Sequence, residues 1–148
     1  MNITKLRSDE VKLLFPIGHA FTAEASRAAF NEEVFEGTWS NLIKLGLGEI
    51  YVASDDKGAV VAVLGAAFLR DPFSGQLTAT EAFWYVVSEH RKSGVGLRLL
   101  DVFEDRAKEL KCEQILMVHF VHVGGEVLQK LYERRGYALL EQTFRKKI

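Results

Sequence analysis

The chain has one cysteine, no long apolar run and almost no net charge, and each of these shortages excludes a class of protein. A single cysteine, Cys112, cannot form a disulfide framework or a cysteine metal cluster within the chain. No stretch approaches the ~20 apolar residues of a membrane span, and the first residues lack the apolar core of a secretory signal. A net charge of −1 argues against nucleic-acid binding by overall basicity. We therefore expect a soluble, cytoplasmic protein with no metal, no membrane and no nucleic-acid partner.

The composition that is present is that of a folded domain. Hydrophobic residues make up 48% of the chain and charged residues 26%, which is typical of globular proteins and argues against disorder. A chain of 148 residues is long enough to bury a stable core without disulfides or structural metals. We expect one domain over residues 1–148.

Apolar spacing and turn residues predict an α/β (α+β) order of elements. Strands are predicted at residues 3–6, 49–53, 59–69, 77–87 and 115–121, with a last hairpin of residues 137–140 and 143–147. Helices are predicted at residues 8–15, 22–34, 38–45 and 94–111, followed by a late helix that carries Val127 to Tyr132 and ends at Gly136. The order predicts a mixed, mostly antiparallel sheet of about six to seven strands, flanked by helices.

A glycine-bearing turn joins the strand at residues 77–87 to the helix at residues 94–111. The turn consists of Arg91, Lys92, Ser93, Gly94, Val95 and Gly96. The first N–H groups of a helix have no intrahelical partner and lie at the positive end of the helix dipole, so they attract anions. Glycine lets a phosphate approach the backbone closely, and an arginine adds a fork of donors. The turn therefore indicates a phosphate site.

The turn alone leaves other interpretations open. Glycines between a strand and a helix are also common in purely structural turns. A Walker A loop needs Lys-Ser/Thr after its last glycine, whereas Leu97 and Arg98 follow Gly96. A dinucleotide fingerprint needs a third glycine or alanine where this chain has Leu99. Neither of these two phosphate loops fits well.

Two segments carry a resemblance to a known family. Residues 86–100 contain a hydrophobic strand end that leads into Arg-x-x-Gly-x-Gly, and residues 131–137 read Leu-Tyr-Glu-Arg-Arg-Gly-Tyr. The first resembles the acyl-CoA-binding motif of the GNAT superfamily of N-acetyltransferases, and the second resembles the later helix end of that family. They are about 40 residues apart in the family's order, with a predicted strand between them. The resemblance is sharp over about residues 77–142.

The resemblance implies a GNAT-like fold and an acetyl-CoA-dependent N-acetyltransferase. Acetyl-CoA is then a co-substrate: the backbone of Val86 and Val87 binds its pantetheine arm, and residues 91–96 wrap its pyrophosphate. The acetyl group passes directly to a primary amine of an unidentified small-molecule or protein acceptor, without a covalent enzyme intermediate. Homodimers are common in the family. One position departs from the family pattern, because Gly125 stands where an asparagine often contacts pantetheine.

The resemblance also supplies candidates for catalysis. Tyr132 matches the family tyrosine often placed beside the CoA sulfur and is the candidate general acid, with ring packing as the alternative. Glu81 lies on a strand where the family often keeps a carboxylate. Strict alternation puts it on the face opposite Val86 as a solvated carboxylate, unless a β-bulge re-aims it as a base. His119 and His122 are further candidate bases, because histidine is the residue type whose ordinary pKa suits proton transfer at neutral pH, with a structural role as the alternative. Backbone N–H groups near Val86 are expected to serve the oxyanion.

Two rival functions remain at this stage. A non-catalytic acyl-CoA-binding or interaction module would keep the loop without the chemistry, and a nucleotide-binding protein of another fold would bind ATP or NAD instead of CoA. Phe35 and Trp39 lie in the segment that the family uses to wall its acceptor site. We interpret both as core or lid packing.

Overall fold

A computed structural model describes residues 1–25, 27–121 and 124–148. They form two compact units, residues 1–118 and residues 119–148, and each is described by itself. The organisation as one domain stays a prediction. The strands are β1 (Asn2–Lys5), β2 (Gly48–Ser54), β3 (Val60–Arg70), β4 (Leu77–Val86) and β5 (Gln114–Leu116). The helices are α1 (Phe15–Glu24), α2 (Glu32–Lys44), α3 (Val95–Glu109) and α4 (Gly125–Arg134), with 3-10 turns at Ser8–Leu14 and Ser88–His90.

The strands of the first unit form one sheet in the order β1-β2-β3-β4-β5. All neighbours are antiparallel except β4 and β5, which run parallel over three residue pairs. A parallel pair needs a long crossover connection, and α3 supplies it. The mixed, mostly antiparallel sheet is confirmed. It has five strands among the described residues rather than six to seven.

A β-bulge interrupts the pairing of β3 with β4. Gly65 lies opposite Phe83 and the next residue of β3, Ala66, lies opposite Glu81, so Ala82 is an extra residue on β4. An extra residue reverses the alternation of side chains from that point on. Consequently Glu81 and Trp84 face the same side of the sheet, although they are three residues apart.

The two faces of the sheet carry separate apolar cores. On one face α3 packs its fully buried Leu99, Leu100 and Phe103 against β2, β3 and β4. On the other face the turn Ser8–Leu14, α1 and α2 pack Leu14 and Trp39 against β2 and β3. Helices thus pack on both faces of the sheet.

Pro16 begins a helix rather than ending one. The sequence predicts a helix over residues 8–15 stopped by Pro16, but residues 8–14 form a 3-10 turn and Pro16 lies in the first turn of α1. Proline is well suited to this place, because the N–H that it lacks has no partner within the helix there.

A helix predicted over residues 22–34 is wrong, because α1 and α2 lie on either side of a break. Asn31 is extended, and its side chain accepts the N–H of Val34 at 3.0 Å. This N-cap fixes the start of α2. The short helix predicted at residues 38–45 is therefore the second half of α2 rather than a separate helix. Ala25, Ala28 and Ala29 therefore lie outside both helices.

The second unit contains α4 and a glycine-dependent helix end. Gly136 has a φ of +88°, its N–H donates to Glu133 O at 3.1 Å, and the N–H of Tyr137 donates to Tyr132 O at 3.0 Å. This pair of bonds is a Schellman motif, which favours glycine. It brings the rings of Tyr132 and Tyr137 to a centroid distance of 5.6 Å. The residues with Tyr-x-x-x-Gly-Tyr spacing at 132–137 therefore end α4.

The hairpin predicted at residues 137–147 is absent from the structure, and with it the two further strands. The described residues 137–148 have no regular secondary structure, and Leu139, Leu140 and Phe144 are exposed. An isolated two-stranded hairpin is only marginally stable, and this segment pairs with no strand among the described residues. None of the helices in the described part of the chain is long and apolar enough to cross a membrane.

Two glycine substitutions test the packing at the bulge. A Cβ at Gly65 would lie 2.2 Å from the Phe83 ring, so Gly65→Ala should lower the free energy of unfolding by ~1–3 kcal/mol through overpacking. Gly37, within α2, has nothing within 4 Å of an added Cβ, so Gly37→Ala should raise stability by ~0.5–1 kcal/mol. Urea denaturation measures both. Equal effects of the two substitutions would contradict the tight contact between Gly65 and Phe83.

Candidate active site

The turn predicted as a phosphate site leads into the N-terminus of α3. Gly94 is the N-cap residue, with a φ of +79°, and it has no side chain to accept the first N–H groups of the helix. Ser93 Oγ accepts the Val95 N–H at 3.3 Å. The Val95 side chain is buried in the core, so this residue presents only its backbone to a ligand. Lys92 is exposed on the turn and adds positive charge.

Gly96 sets how closely α3 approaches β4. A Cβ at this position would lie 3.1 Å from Val86 Cγ2 and 3.5 Å from Trp84 Cζ2. The first turn of α3 therefore packs closely against the end of β4, and a side chain at position 96 would require Val86 to shift by a few tenths of an ångström. The backbone N–H groups of the turn, the positive end of the helix and the end of β4 lie together, and this arrangement fits a long ligand that carries a phosphate.

The backbone of Val86 points away from β3. Val87 N–H donates to Val61 O at 3.0 Å, and Ala62 lies opposite Val86. Hydrogen-bonded and non-hydrogen-bonded pairs alternate along an antiparallel ladder, so the N–H and C=O of Val86 are directed to the other side of β4. β5 ends its pairing with β4 at Thr80, six residues earlier. Of the two residues predicted to bind a pantetheine arm, Val86 thus presents its backbone and Val87 uses its N–H within the sheet.

The Arg91 side chain fastens the turn to β4 and α1. Its Nε donates to Val86 O at 3.0 Å, and its Nη2 lies 2.6 Å from Glu24 Oε2. The Tyr85 hydroxyl donates to the same Glu24 oxygen at 2.8 Å, and the guanidinium lies over the Tyr85 ring at 5.5 Å. The hydrogen bond from Arg91 holds the pKa of Glu24 below its ordinary value. Since both charged groups are partly exposed, this ion pair orients the turn more than it stabilises the fold.

Glu81 is buried, with 5% of its surface exposed. The bulge at Ala82 turns it to the α3 face, which it shares with Val86. Its Oε2 accepts the Val118 N–H at 2.9 Å, just past the point where β4 and β5 stop pairing. The β-bulge stated as the condition for re-aiming Glu81 is present, and the carboxylate is not a solvated strand residue.

Burial raises the pKa of Glu81 to about 7. Removal of water disfavours the charged form, while the hydrogen bond from Val118 and the charge of Arg27 oppose this shift. A carboxyl group with a pKa near neutrality exchanges protons readily at physiological pH, which suits a general base.

The remaining catalytic candidates lie in the second unit. Tyr132 is buried near the C-terminal end of α4, where it precedes the Schellman motif. His119 is half-buried, and its Nε2 has no hydrogen-bond partner among the described residues. His122 lies outside the described residues. Gly125 is the first residue of α4 and has a φ of +49°, in the left-handed region of the backbone.

An apolar cavity of about 400 Å³ opens on the face of the sheet opposite α3. It lies between α1, the loop at residues 27–31, α2 and the bulged part of β4. Six aromatic side chains contribute to its lining: Phe21, Phe30, Phe35, Trp39, Phe83 and Tyr85. Phe35 and Trp39, interpreted from the sequence as core or lid packing, contact Phe83 and also border this cavity.

Sequence reasoning missed the residues that join the turn to the cavity. Glu24 and Tyr85 bind Arg91, and Tyr85 also packs against Phe21 with ring centroids 5.7 Å apart. Glu24 is distant from the turn along the chain, and no spacing rule relates the two. The run of aromatic residues between 15 and 39 was the one available signal for the cavity.

Comparison with known proteins identifies the family. The model of the acetyltransferase (GNAT) family matches residues 18–137. No curated protein sequence matches the chain. A predicted acetyltransferase from Clostridium acetobutylicum, solved with acetyl-CoA, has a TM-score of 0.80 at 16% identity, with 99% of this chain and 95% of that chain covered.

Two further solved structures share the fold over their whole length. A ribosomal-protein-alanine N-acetyltransferase from Brucella melitensis biovar Abortus 2308 has a TM-score of 0.73 at 22% identity and covers 100% of both chains. A glucosamine-6-phosphate N-acetyltransferase from Arabidopsis thaliana has a TM-score of 0.75 at 15% identity, with 99% and 97% covered. At these identities the likeness shows a common fold. Because the family model spans most of the sequence, the chain belongs to the GNAT family of acetyltransferases.

Proposed function

We propose that this protein is an acetyl-CoA-dependent N-acetyltransferase that passes the acetyl group directly to a primary amine. The observation that carries the proposal is Glu81, a buried carboxyl group with a pKa of about 7. It lies on the same face of the sheet as the strand end against which Gly96 packs. A binding module has no need of a desolvated carboxyl group at this place, whereas amine acylation needs a proton acceptor.

The donor side is built from backbone groups. The N–H groups of Gly94, Gly96 and the first turn of α3 would hold a pyrophosphate, helped by the charge of Lys92. The N–H groups of Arg91 and Ser93 donate to Ser88 O and His90 O within the turn. Val86 would pair with the pantetheine arm through its N–H, which points away from β3, while its C=O already accepts from Arg91 Nε. Arg91, bound to Glu24 and Val86 O, orients the turn. When bound, acetyl-CoA supplies the thioester whose C–S bond breaks as the new C–N bond forms.

The protein's own groups would manage the protons and the developing charge. Glu81 accepts the proton that the attacking amine loses, and His119 is the alternative base. Backbone N–H groups near Val86 stabilise the oxyanion, as donors fixed before the reaction do most effectively. Tyr132 donates a proton to the departing thiolate, a role proposed from its place in the Leu-Tyr-Glu motif.

Ligand binding can be tested on the turn with a matched pair of glycines. At about 100 times its dissociation constant, acetyl-CoA should stabilise the protein by ~2.7 kcal/mol in a thermal shift, and ATP or NAD should not. Gly94 and Gly58 both have positive φ and open space around them, and Gly58 lies in the β2–β3 turn. Alanine at either should cost ~1–2 kcal/mol of stability. Only Gly94→Ala should weaken acetyl-CoA binding, by about tenfold. No shift with acetyl-CoA or CoA overturns the proposal.

The role of Glu81 predicts a pH-dependent rate. The kcat/KM should fall as the pH drops below about 7, because the base becomes protonated. Glu81→Gln keeps the shape and the acceptor for Val118 N–H, but should lower kcat by ~10²–10⁴ and remove this acidic limb. An unchanged pH profile in Glu81→Gln would assign the base elsewhere, with His119 as the next candidate.

The stability of the same variant provides a control that does not depend on turnover. Folding raises the pKa of Glu81 above its ordinary 4.5, so the folded state holds this proton more tightly than the unfolded state. The free energy of unfolding therefore falls as the pH rises from 4.5 through about 7, because the buried carboxyl group must ionise in the folded state. Urea unfolding from pH 4.5 to 8 should show this loss in the wild type and its absence in Glu81→Gln.

Tyr132→Phe separates an enzyme from a binding module. The substitution keeps the ring contact with Tyr137 and removes the hydroxyl proton, so kcat should fall by ~10² while the affinity for CoA changes little. Turnover is measured as free CoA released, and affinity as the thermal shift. Full turnover in Tyr132→Phe would assign the tyrosine to packing, and binding of CoA without turnover of any amine in a broad panel would favour the module.

A further inference from the structure

We propose that the acceptor is a small monoamine whose amino group is carried on an aromatic or branched apolar body, and that this body occupies the aromatic cavity. The inference rests on the proposed function and names its missing substrate class. It is drawn from the lining of the cavity, its charge and its position beside the bulge of β4.

The shape and chemistry of the cavity favour an apolar body. A volume of about 400 Å³ lies within the range of pockets that take small molecules. The Phe21 ring packs edge-on against Tyr85 at 5.7 Å, and the Trp39 ring packs edge-on against Phe83 at 5.0 Å. Aromatic rings that pack against other rings form rigid walls. Such walls lose little conformational entropy when they bind a flat or branched apolar group.

The charge of the cavity disfavours acceptors with several amines. Of the described residues that line it, Arg27 alone is charged, and none is a carboxylate. Glu24, which touches the lining through Tyr85, is paired with Arg91, and Glu32, next to the lining residue Asn31, lies 2.8 Å from His19. A polyamine or aminoglycoside would bring additional ammonium groups to a surface without a free carboxylate to receive them.

The cavity meets β4 at the bulge, on the face of the sheet opposite the one that carries the Glu81 side chain. Ala82, the extra residue of the bulge, borders the cavity and follows Glu81 in the chain. Arg27 also borders the cavity, and its charge acts on the Glu81 carboxyl group. A positive charge here disfavours the ammonium form of an acceptor, and only the neutral amine attacks a thioester. A single neutral amine therefore suits the part of the cavity that Arg27 and Ala82 border.

A binding measurement that does not depend on turnover tests this class. 2-Phenylethylamine and spermidine are titrated into the intact protein in the presence of CoA, with tryptophan fluorescence as the readout. Trp39 lies in the cavity lining and reports its occupancy. The phenyl compound should bind about tenfold or more tightly than spermidine, because burial of a ring contributes at least that much affinity.

Two substitutions on α2 locate the binding. Thr38 borders the cavity and is exposed, so Thr38→Phe fills the space with little risk to the fold. It should weaken binding of 2-phenylethylamine about tenfold. Asn41 is exposed on the same helix and is not part of the lining, so Asn41→Phe should leave the affinity unchanged. Acetyl-CoA affinity, measured by thermal shift, should be unaffected in both variants.

The outcomes distinguish this inference from the proposed function. Binding of 2-phenylethylamine that is sensitive to Thr38→Phe and insensitive to Asn41→Phe supports the inference. Spermidine binding as tightly as the phenyl compound, failure of both amines to bind, or equal effects of the two substitutions overturns it. In each of these cases acetyl-CoA binding and turnover of another amine leave the proposed function standing. Absence of acetyl-CoA binding overturns the proposed function, whatever the amines do.

Discussion

The extra residue Ala82 in β4 is the constraint on which the candidate site depends. It reverses the side-chain alternation, so Glu81 and Val86 share the α3 face while Phe83 and Tyr85 face the opposite helices. Without the bulge Glu81 would share a face with Phe83 and Tyr85 and would be separated from the donor side. A bulge also ends regular pairing, and the bond from Val118 N–H to Glu81 takes the place of the next rung between β4 and β5.

The bulge is accommodated by the absence of a side chain on the neighbouring strand. Gly65 lies opposite Phe83, and the Phe83 ring occupies the space where a Cβ would stand. The ring thereby reaches across β3 to contact Phe35 and Trp39 on α2. One glycine therefore allows both the local register and the packing of the cavity wall. On the other face Gly96 plays the corresponding part, since it lets α3 rest against the end of β4.

Local features of the site could be predicted from the sequence, and long-range ones could not. Gly94 and Gly136 adopt positive φ at a helix start and a helix end, and such positions have short, regular signatures. The facing of Glu81 could be stated only conditionally, because alternation is reversed by a bulge, and the glycine that accommodates this bulge, Gly65, lies on another strand. The helix over residues 22–34 was predicted from alanine spacing, whereas the Asn31 cap decides the outcome. The hairpin predicted at residues 137–147 does not form, because an alternating pattern becomes a strand only where a neighbouring strand pairs with it.

The same distinction explains why the donor is easier to infer than the acceptor. A pyrophosphate is bound by backbone N–H groups at a helix start, so the chain needs particular backbone conformations and hence glycines at fixed spacing. The proposed acceptor cavity is lined by side chains that come from α1, the loop before α2, α2 and β4 and that meet only in the folded sheet. Tyr85 belongs to both systems, because its ring lines the cavity and its hydroxyl binds the carboxylate that holds Arg91. The proposed donor turn and the proposed acceptor cavity are therefore connected through one side chain.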